Sequence, residues 1–264
     1  MLSSPLARSS PSRNLANLHL LQQLIRRDFS ARFTGSALGL GWAVLQPLTL
    51  VVLYWFVFTF LIPQGPGATH NRYVLFLIAG LIPWIGFNEG IIRATTSIVD
   101  NATLVRRLAF KSELLVVVPN ASAIIFEAIG LAIYILYLVA TRAVSPMLWV
   151  LPFAIAVQFA VQVGIGWFLA AVYVFFRDVA QVLGFILSVV FYLSPILYPV
   201  SPRFETFFMW NPLTPLLGLF RSAMIGSALP PLSSIVFLMV TAAVIFCGGL
   251  AFFRRTQATL ADLV

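Results

Sequence analysis

The sequence predicts an all-α integral membrane protein with six transmembrane helices, an N-terminal amphipathic interface helix, and a re-entrant helix pair on the outer side before the last span. Of the 264 residues, 61% are hydrophobic and only 9% are charged, whereas a soluble domain is usually about half apolar and about a quarter charged. This composition excludes a water-soluble globule. It also excludes a disordered chain, which needs low hydrophobicity and high charge. At roughly 20 residues per spanning helix, the chain accommodates about six spans.

The N-terminal residues predict a tail followed by a helix at the membrane surface. Residues 1–13 are rich in Ser, Pro and Arg and lack an apolar core, so we expect a disordered cytosolic tail rather than a signal peptide. A single transmembrane domain is expected over residues 14–264. Within residues 15–29, the apolar positions recur at helical spacing: Leu18, Leu21, Ile25 and Phe29. The other face is polar and basic, which favours a helix in the membrane interface; the alternative is a helix packed on the protein's own cytosolic side.

Six apolar runs predict the spans. Their expected boundaries are 37–62, 73–99, 114–140, 147–176, 179–198 and 234–253. With the N-terminus in the cytosol, Arg72, Arg142, Arg203 and Arg221 fall outside, and the other twelve Lys and Arg residues fall inside. Basic residues concentrate on the cytosolic side of membrane proteins, so both termini are expected there. The same rule accounts for the positive charge, and no nucleic-acid partner is expected.

Prolines interrupt the strongly apolar residues 199–233, which do not form a simple loop. They divide this outer segment into pieces of about 10–14 residues, too short to cross a bilayer. Non-helical backbone at membrane depth has to be buried in protein or line a wet cavity. We therefore expect two short re-entrant helices; the alternative is an interfacial loop that lies flat on the lipid.

The residue types needed for membrane-embedded catalysis are poorly placed. Both histidines, His19 and His70, lie outside the predicted spans, so a Ser/His hydrolase or a His-ligated metal site within the bilayer lacks its central residue. The sequence before Lys111 and Ser112 lacks the two glycines of a phosphate-binding loop. We expect no catalytic residue, no metal and no cofactor in this chain. If ATP drives its function, a partner subunit binds the ATP and Mg²⁺.

Two acidic residues, Glu89 and Glu127, lie within the predicted spans. A carboxylate in the membrane is costly and usually marks a pathway or a buried pair. Arg93 follows Glu89 by one helical turn and could neutralise it. Glu127 has no such partner on its own helix. It therefore either faces a hydrated cavity or pairs with a residue of another span.

Residues 101–108 predict a short inner helix that Asp100 or Asn101 can cap. Its apolar side is formed by Leu104, Val105 and Leu108, and basic residues flank it. Two interpretations remain open. The segment is either a basic loop held by anionic lipid or a helix docked in the groove of a cytosolic partner.

Five separated segments share a residue pattern with one family of membrane proteins. They are RRDFSARFTGSALGLGWAVLQP (26–47), NATLVRRLAFKSELL (101–115), FFRDVAQVLGFILSVVFYLSPILYP (175–199), NPLTPLLGLFR (211–221) and ATLADLV (258–264). In this order they resemble the polysaccharide-export permeases of ABC-2 type transporters, which move lipid-linked O-antigen, capsule or teichoic-acid chains. One departure lies at Phe110, between Ala109 and Lys111, where the family commonly has a basic residue before the Phe and a proline after it.

The resemblance implies a homodimer of this chain with two copies of a separate ABC nucleotide-binding subunit in the bacterial cytoplasmic (inner) membrane. Its substrate would be a glycan on polyprenyl pyrophosphate, threaded through a channel between the two copies. The interface helix and the 101–108 helix would transmit ATP binding and hydrolysis. The residues expected to couple to the ATPase are Asn101, Leu104, Val105, Arg106, Arg107, Leu108 and Glu113.

Two further sets of residues are expected to contact the substrate. Arg26, Arg27 and Arg32 lie at the cytosolic headgroup level, where a guanidinium can give a phosphate two hydrogen bonds at once; the alternative is that they only anchor the helix to anionic lipid. The outer segment and the spans supply the expected channel and gate residues. These are Tyr54, Trp55, Glu127, Tyr192, Tyr198, Trp210 and Arg221.

Three other functions are weighed against polysaccharide export. The same type of transporter could export smaller lipo-oligosaccharides or drugs. A secondary carrier coupled to ions through Glu127 and Glu89 would need no ATPase subunit. A membrane-bound transferase would need charged catalytic residues clustered at one membrane face, and the few charges here are scattered.

Overall fold

The computed structural model describes residues 11–32, 34–57, 60, 70–105 and 111–263. Throughout these ranges the chain is helical or irregular, without a strand, which confirms the all-α prediction. The α-helices are α1 (Pro11–Ala31), α2 (Trp42–Phe56), α3 (His70–Asp100), α4 (Ala102–Val105), α5 (Glu113–Ala140), α6 (Leu151–Phe175), α7 (Val179–Leu193), α8 (Glu205–Met209), α9 (Leu213–Ile225) and α10 (Leu232–Leu263).

Four of the described helices are long and apolar enough to cross a membrane: α3, α5, α6 with the turn before it, and α10. Their positions confirm three of the predicted segments, 73–99, 114–140 and 147–176. The last span begins near its predicted start, but α10 continues to Leu263, ten residues beyond the predicted end at 253. The residues after the last apolar run are thus helical.

Two predicted spans contain shorter helices. Both α2 and α7 have 15 residues, or about 22 Å of helix, which is less than the roughly 30 Å of a hydrocarbon core. The helix predicted over 179–198 ends at Leu193, because a residue before proline favours extended backbone and Ser194, before Pro195, has φ −105° and ψ 146°. That boundary of the prediction is wrong.

The start of the first predicted span, 37–62, is also not helical. Gly35 and Gly39 adopt positive φ values of 83° and 49°, and a short 3₁₀ turn precedes Trp42. A left-handed glycine does not continue a right-handed helix. Residues 58–59 and 61–62 lie outside the described residues.

The N-terminal and outer segments form helices at slightly different places from those expected. Residues 1–10 of the expected disordered tail lie outside the described part of the chain, and α1 already begins at Pro11, so residues 11–13 are helical. In the segment 199–233, prolines separate two short helices as predicted, but α8 has only 5 residues, whereas α9 has 13. A left-handed Gly226, with φ 67°, ends α9.

The core lies where α3, α5 and α6 pack against one another. In α3, 67% of the most apolar window is buried, against 17% in α10, so α3 is central and α10 peripheral. The helices α6 and α10 cross at Gly164 and Gly249, where a Cβ on Gly249 would overlap the Gly164 carbonyl. Glycines at this crossing let the two backbones touch.

The bundle has two chemically different ends. We call one the basic end; it contains α1, the last turn of α3, α4 and the start of α5. We call the other the proline-rich end; it contains residues 194–231 and the first turns of α3. The helix α3 is about 46 Å long and contacts residues at both ends.

Candidate functional site

At the basic end, α1 lies against α5. Leu21, Ile25 and Phe29 are half-buried, and the polar residues predicted for the other face, Gln22, Gln23, Arg26 and Arg27, are exposed. The predicted division into two faces is confirmed for these positions, while the Leu18 side chain lies outside the described part. Phe29 packs near Ala43 of α2 and Phe126 of α5. The helix therefore packs on the protein with its apolar face.

Ion pairs join the end of α1 to α3. The Asp28 carboxylate accepts a hydrogen bond from Arg93 at 2.7 Å. Arg32, just after α1, lies 2.5 Å from the Glu89 carboxylate, and its guanidinium lies 3.8 Å from the centre of the Phe126 ring. The expected pairing of Glu89 with Arg93 is present at 3.7 Å, but Glu89 is closer to Arg32. These partly buried pairs hold α1 against the central helix.

The three arginines expected to contact phosphate are not equivalent. Arg32 is engaged with Glu89 and Phe126, whereas Arg26 and Arg27 are exposed. Arg27 lines a cavity of about 310 Å³ between α1, α3 and α5, whose other charged lining residues are Asp28, Arg93 and Asp100. The structure thus leaves Arg26 and Arg27 accessible, and their contact with phosphate stays a prediction.

Of the expected coupling helix 101–108, the described part is α4, and Arg106, Arg107 and Leu108 lie outside the described residues. Capping by Asp100 or Asn101 is not seen. Asp100 accepts a hydrogen bond from Thr96 at 2.6 Å, and the Asn101 amide donates to the Ser97 carbonyl at 2.9 Å. Both side chains bond to the last turn of α3, which competes with α4 for them, so the capping prediction is wrong.

The apolar side of α4 faces this chain's own core. Val105 is buried in a cluster with Ile98, Leu115 and Phe253, and Leu104 packs against the same cluster. Thr103 is exposed. A partner that contacts α4 would therefore meet Thr103 first, while Leu104 and Val105 keep α4 in place.

Glu113, the last expected coupling residue, connects three helices at the basic end. Its carboxylate lies 3.3 Å from Arg254 of α10, and its backbone carbonyl accepts a hydrogen bond from the Trp167 indole of α6 at 3.0 Å. Glu113 is therefore a structural link here, and its contact with an ATPase stays a prediction.

Glu127 lies at the centre of the bundle and is only 2% exposed. The Gln158 amide of α6 donates to its carboxyl group at 2.5 Å and to the Pro83 carbonyl of α3 at 3.3 Å. Of the two alternatives, Glu127 pairs with another span. The adjacent cavity is about 10 Å³, room for one water molecule at most.

The polar partners of Glu127 were not predicted from the sequence. Gln158, Gln162 and Asn120 are fully buried, and the Gln162 amide donates to the Gly86 carbonyl at 2.8 Å. The available signal was the pair of glutamines one helical turn apart within the apolar run 147–176. These four residues, Asn120, Glu127, Gln158 and Gln162, lie against α3. We call them the polar seam.

At the proline-rich end, Arg221 of α9 is 6% exposed. Its Nε donates to the Phe76 carbonyl at 3.3 Å, and its Nη2 donates to the carbonyls of Pro195 and Ile196 at 2.7 and 3.0 Å. The guanidinium also lies 3.5 Å from the centre of the Phe76 ring. A Cβ on Gly80 would be 2.7 Å from Nη2, so this glycine leaves the space that the guanidinium occupies.

Of the expected aromatic channel residues whose side chains the structure describes, Tyr192 and Tyr198 lie together. The Tyr198 hydroxyl donates to the Tyr192 carbonyl, so these two meet beside the turn that Arg221 holds. Trp210 is 76% exposed and its ring lies 6.2 Å from that of Phe237. Tyr54 packs against the core on α2, and the side chain of Trp55 lies outside the described residues.

The charged and polar side chains of the described residues link the helices to one another. In the parts of the chain that the structure describes, no three His, Cys, Asp or Glu residues are grouped so that they could hold a metal ion. The charged and polar side chains instead form the ion pairs of the basic end, the polar seam and the Arg221 contacts.

The sequence of this chain is similar to those of known proteins over most of its length. Residues 19–225 match the family model described as ABC-2 type transporter. The chain is 25% identical over 254 residues to the O-antigen export system permease protein RfbA of Klebsiella pneumoniae. The alignment covers 93% of this chain and 95% of that protein. A protein of the same name from Myxococcus xanthus is 23% identical over the same shares of the two chains. The polysialic acid transport protein KpsM of Escherichia coli is 23% identical, over 91% of this chain and 94% of that protein.

The ion pairs at the basic end predict that Glu89→Gln loosens α1. The substitution keeps the size of the side chain but removes the charge that faces Arg32 and Arg93. Partly exposed ion pairs contribute up to about 1 kcal/mol each, so we expect trypsin cleavage after the exposed Arg26 and Arg27 to become about fivefold faster. Mass spectrometry of the released peptides measures the rate.

The matched control is Glu113→Gln, which removes a carboxylate paired with the exposed Arg254 away from α1. It should leave cleavage after Arg26 and Arg27 unchanged. Equal rates in wild type and Glu89→Gln would show that these ion pairs do not hold α1.

Proposed function

This chain belongs to the ABC-2 type transporter family, and from that membership we propose that it is the membrane-spanning permease subunit of an ATP-driven polysaccharide exporter. The observation that carries the proposal is end-to-end similarity to relatives named as O-antigen export permeases or as a polysialic acid transport protein. The alignments cover at least 91% of this chain and at least 94% of each relative. The chain therefore corresponds to nearly the whole length of such permeases.

The proposed exporter hydrolyses ATP on a separate subunit. The chain lacks the sequence of a phosphate-binding loop, so we assign ATP and Mg²⁺ to two copies of an ABC nucleotide-binding subunit. The basic end offers a surface for such a subunit, because Thr103 and the polar face of α1 are both exposed there. Movement of the ATPase would reach α3 through the ion pairs of Asp28 and Arg32.

We propose that the permease acts as a homodimer. The cavity beside Glu127 has room for one water molecule at most, so the described part of one protomer offers a glycan no conduit at this place. A conduit would form between two copies. The exposed aromatic residues of α7, Phe185 and Tyr192, offer a surface that a second copy could share with the substrate, because aromatic faces pack well on sugar rings.

The proposed membrane placement is six crossings with both termini in the cytosol of a bacterium, in its cytoplasmic membrane. The basic end then faces the cytosol, in agreement with the positive-inside rule. The helices α8 and α9 form the re-entrant pair on the outer side. The crossing that contains α7 would be completed by residues 194–198, in which the carbonyls of Pro195 and Ile196 bond to Arg221.

The proposed substrate is a glycan on polyprenyl pyrophosphate. Its phosphates would remain at the cytosolic headgroup level, where Arg26 and Arg27 are exposed. Export of a smaller lipo-oligosaccharide or of a drug is the alternative within the family. An ion-coupled carrier needs an acid that water or an ion can reach, whereas Glu127 is buried and the cavity beside it is about 10 Å³.

Deletion of the gene tests the proposed function. We expect surface polysaccharide to be lost and lipid-linked glycan to accumulate inside the cell, because synthesis continues without export. Gel analysis of extracted polysaccharide and of the lipid-linked fraction measures both, and the plasmid-borne gene should restore export. Full surface polysaccharide in the deletion strain would refute the proposal.

The exposed position of Thr103 predicts that Thr103→Glu weakens binding of the ATPase subunit by about tenfold. A new charge at an interface has to lose its water, whereas an exposed site in the isolated permease changes stability little. Copurification of the ATPase subunit and transport-coupled ATPase activity are the measurements. Ala143→Glu, at the exposed turn of the opposite end, is the control. Normal binding of the ATPase subunit by the Thr103→Glu variant would show that α4 is not part of the interface.

The phosphate and anchor roles of Arg26 and Arg27 predict different results for the double Arg→Lys variant. Lysine keeps the charge but loses the planar fork that gives two hydrogen bonds. Under the phosphate role, export of polysaccharide falls severalfold while the ATPase subunit still copurifies. Unchanged export would leave only anchorage to anionic lipid.

A further inference from the structure

A cavity of about 340 Å³ lies at the proline-rich end, between α8, α9 and the start of α10. Its wall includes Glu205 and Phe208 of α8, Thr214 and Arg221 of α9, and Ser234 of α10. A volume of this size is typical of small-molecule binding pockets. The cavity therefore has the dimensions and the mixed polarity of a ligand site.

Arg221 brings an uncompensated positive charge to this cavity. Its Nε and Nη2 bond to backbone carbonyls, and no carboxylate in the described ranges forms an ion pair with it. Arg221 lines the cavity, and Nη1 is its nitrogen without a hydrogen bond to a described residue.

Thr214 holds a second donor on the same helix face, and a rotation of its side chain would bring the hydroxyl to the cavity without breaking a hydrogen bond. Its hydroxyl is buried and has no hydrogen-bond partner in the described structure, which is a costly state for a polar group. Thr214, Gly218 and Arg221 follow one another at helical spacing and all line the cavity. At Gly218 a Cβ would be 2.7 Å from Pro230, so the glycine lets the wall close around the donors.

The other side of the cavity differs from an anion site. Glu205 contributes a carboxylate that would repel a phosphate but would accept hydrogen bonds from hydroxyl groups. Phe208 contributes a mostly buried aromatic ring. Two donors, a carboxylate acceptor and an aromatic ring together match a sugar, whose hydroxyls donate and accept and whose C–H face is apolar.

We propose that this cavity is a carbohydrate subsite, in which Arg221 and Thr214 donate to ring hydroxyls and Glu205 accepts from them. The proposal rests on the proposed function, since the sugar is a unit of the exported glycan at the outer end of the permease. Because buried donors left without partners disfavour a ligand that lacks the matching hydroxyls, the subsite would select among glycans.

The test uses protection of a cysteine in the cavity. The variant Ser234→Cys in a Cys247→Ala background, purified in lipid nanodiscs, is labelled with a polar maleimide. Methyl glycosides of glucose, mannose and galactose, added in the high-millimolar range, should slow labelling severalfold. Sodium phosphate and glycerol are the controls for protection by any anion and by any polyol. Ser201→Cys, exposed at the same end outside the cavity wall, should label at an unchanged rate throughout.

Variants of Thr214 distinguish a sugar that is hydrogen-bonded in the cavity from one that only packs there. Thr214→Val keeps the shape of the side chain but removes the hydroxyl and should abolish protection, whereas Thr214→Ser should retain it. Lack of protection by every glycoside, or equal protection by phosphate or glycerol, would overturn the subsite. Loss of surface polysaccharide on gene deletion, together with absent protection, would overturn only the subsite. Retained surface polysaccharide would refute the proposed function independently of the labelling result.

Discussion

The polar seam between α3, α5 and α6 is the constraint around which the rest of the structure is arranged. A hydrocarbon environment provides no water for polar groups, so the side chains of Glu127, Gln158 and Gln162 have to bond within the protein. The Gln158 amide reaches both Glu127 and the Pro83 carbonyl. Because a Cβ at Gly86 would overlap the Glu127 carboxyl group, the three helices have one register in which these contacts form.

Charged side chains have different partners at the two ends of the bundle. At the basic end, Asp28, Arg32, Glu89 and Arg93 neutralise one another while remaining partly exposed, and water or a phosphate could replace such contacts. At the proline-rich end, Arg221 is buried and bonds to carbonyls of α3 and of the turn after α7. Both sets of contacts include α3. Under the proposed function, α3 therefore connects the region that meets the ATPase with the region that meets the outer side.

Local sequence patterns predicted helices well where the apolar run is long and failed where neighbouring elements compete. The spans of α3, α5 and α6 could be located because an apolar run of this length has few alternatives in a membrane protein. The end of α7 was placed five residues too late because the apolar residues 194–198 continue past the helix. Capping of α4 was mispredicted because the last turn of α3 offers Asp100 and Asn101 other partners.

The sequence by itself determined that the chain is helical, membrane-embedded and divided into two unlike ends, and its separated motifs indicated the family. The first three properties follow from composition, periodicity and proline placement, whereas the family rests on the resemblance of the motifs. Only the tertiary structure decided that Glu127 pairs with Gln158, 31 residues away, and that Arg32 takes Glu89, 57 residues away. It also turned Val105 into the core and brought Thr214 and Arg221 to one cavity with Glu205. Such contacts depend on how each helix is rotated about its axis when it packs, and a helix that is apolar on all sides has no local pattern that encodes this rotation.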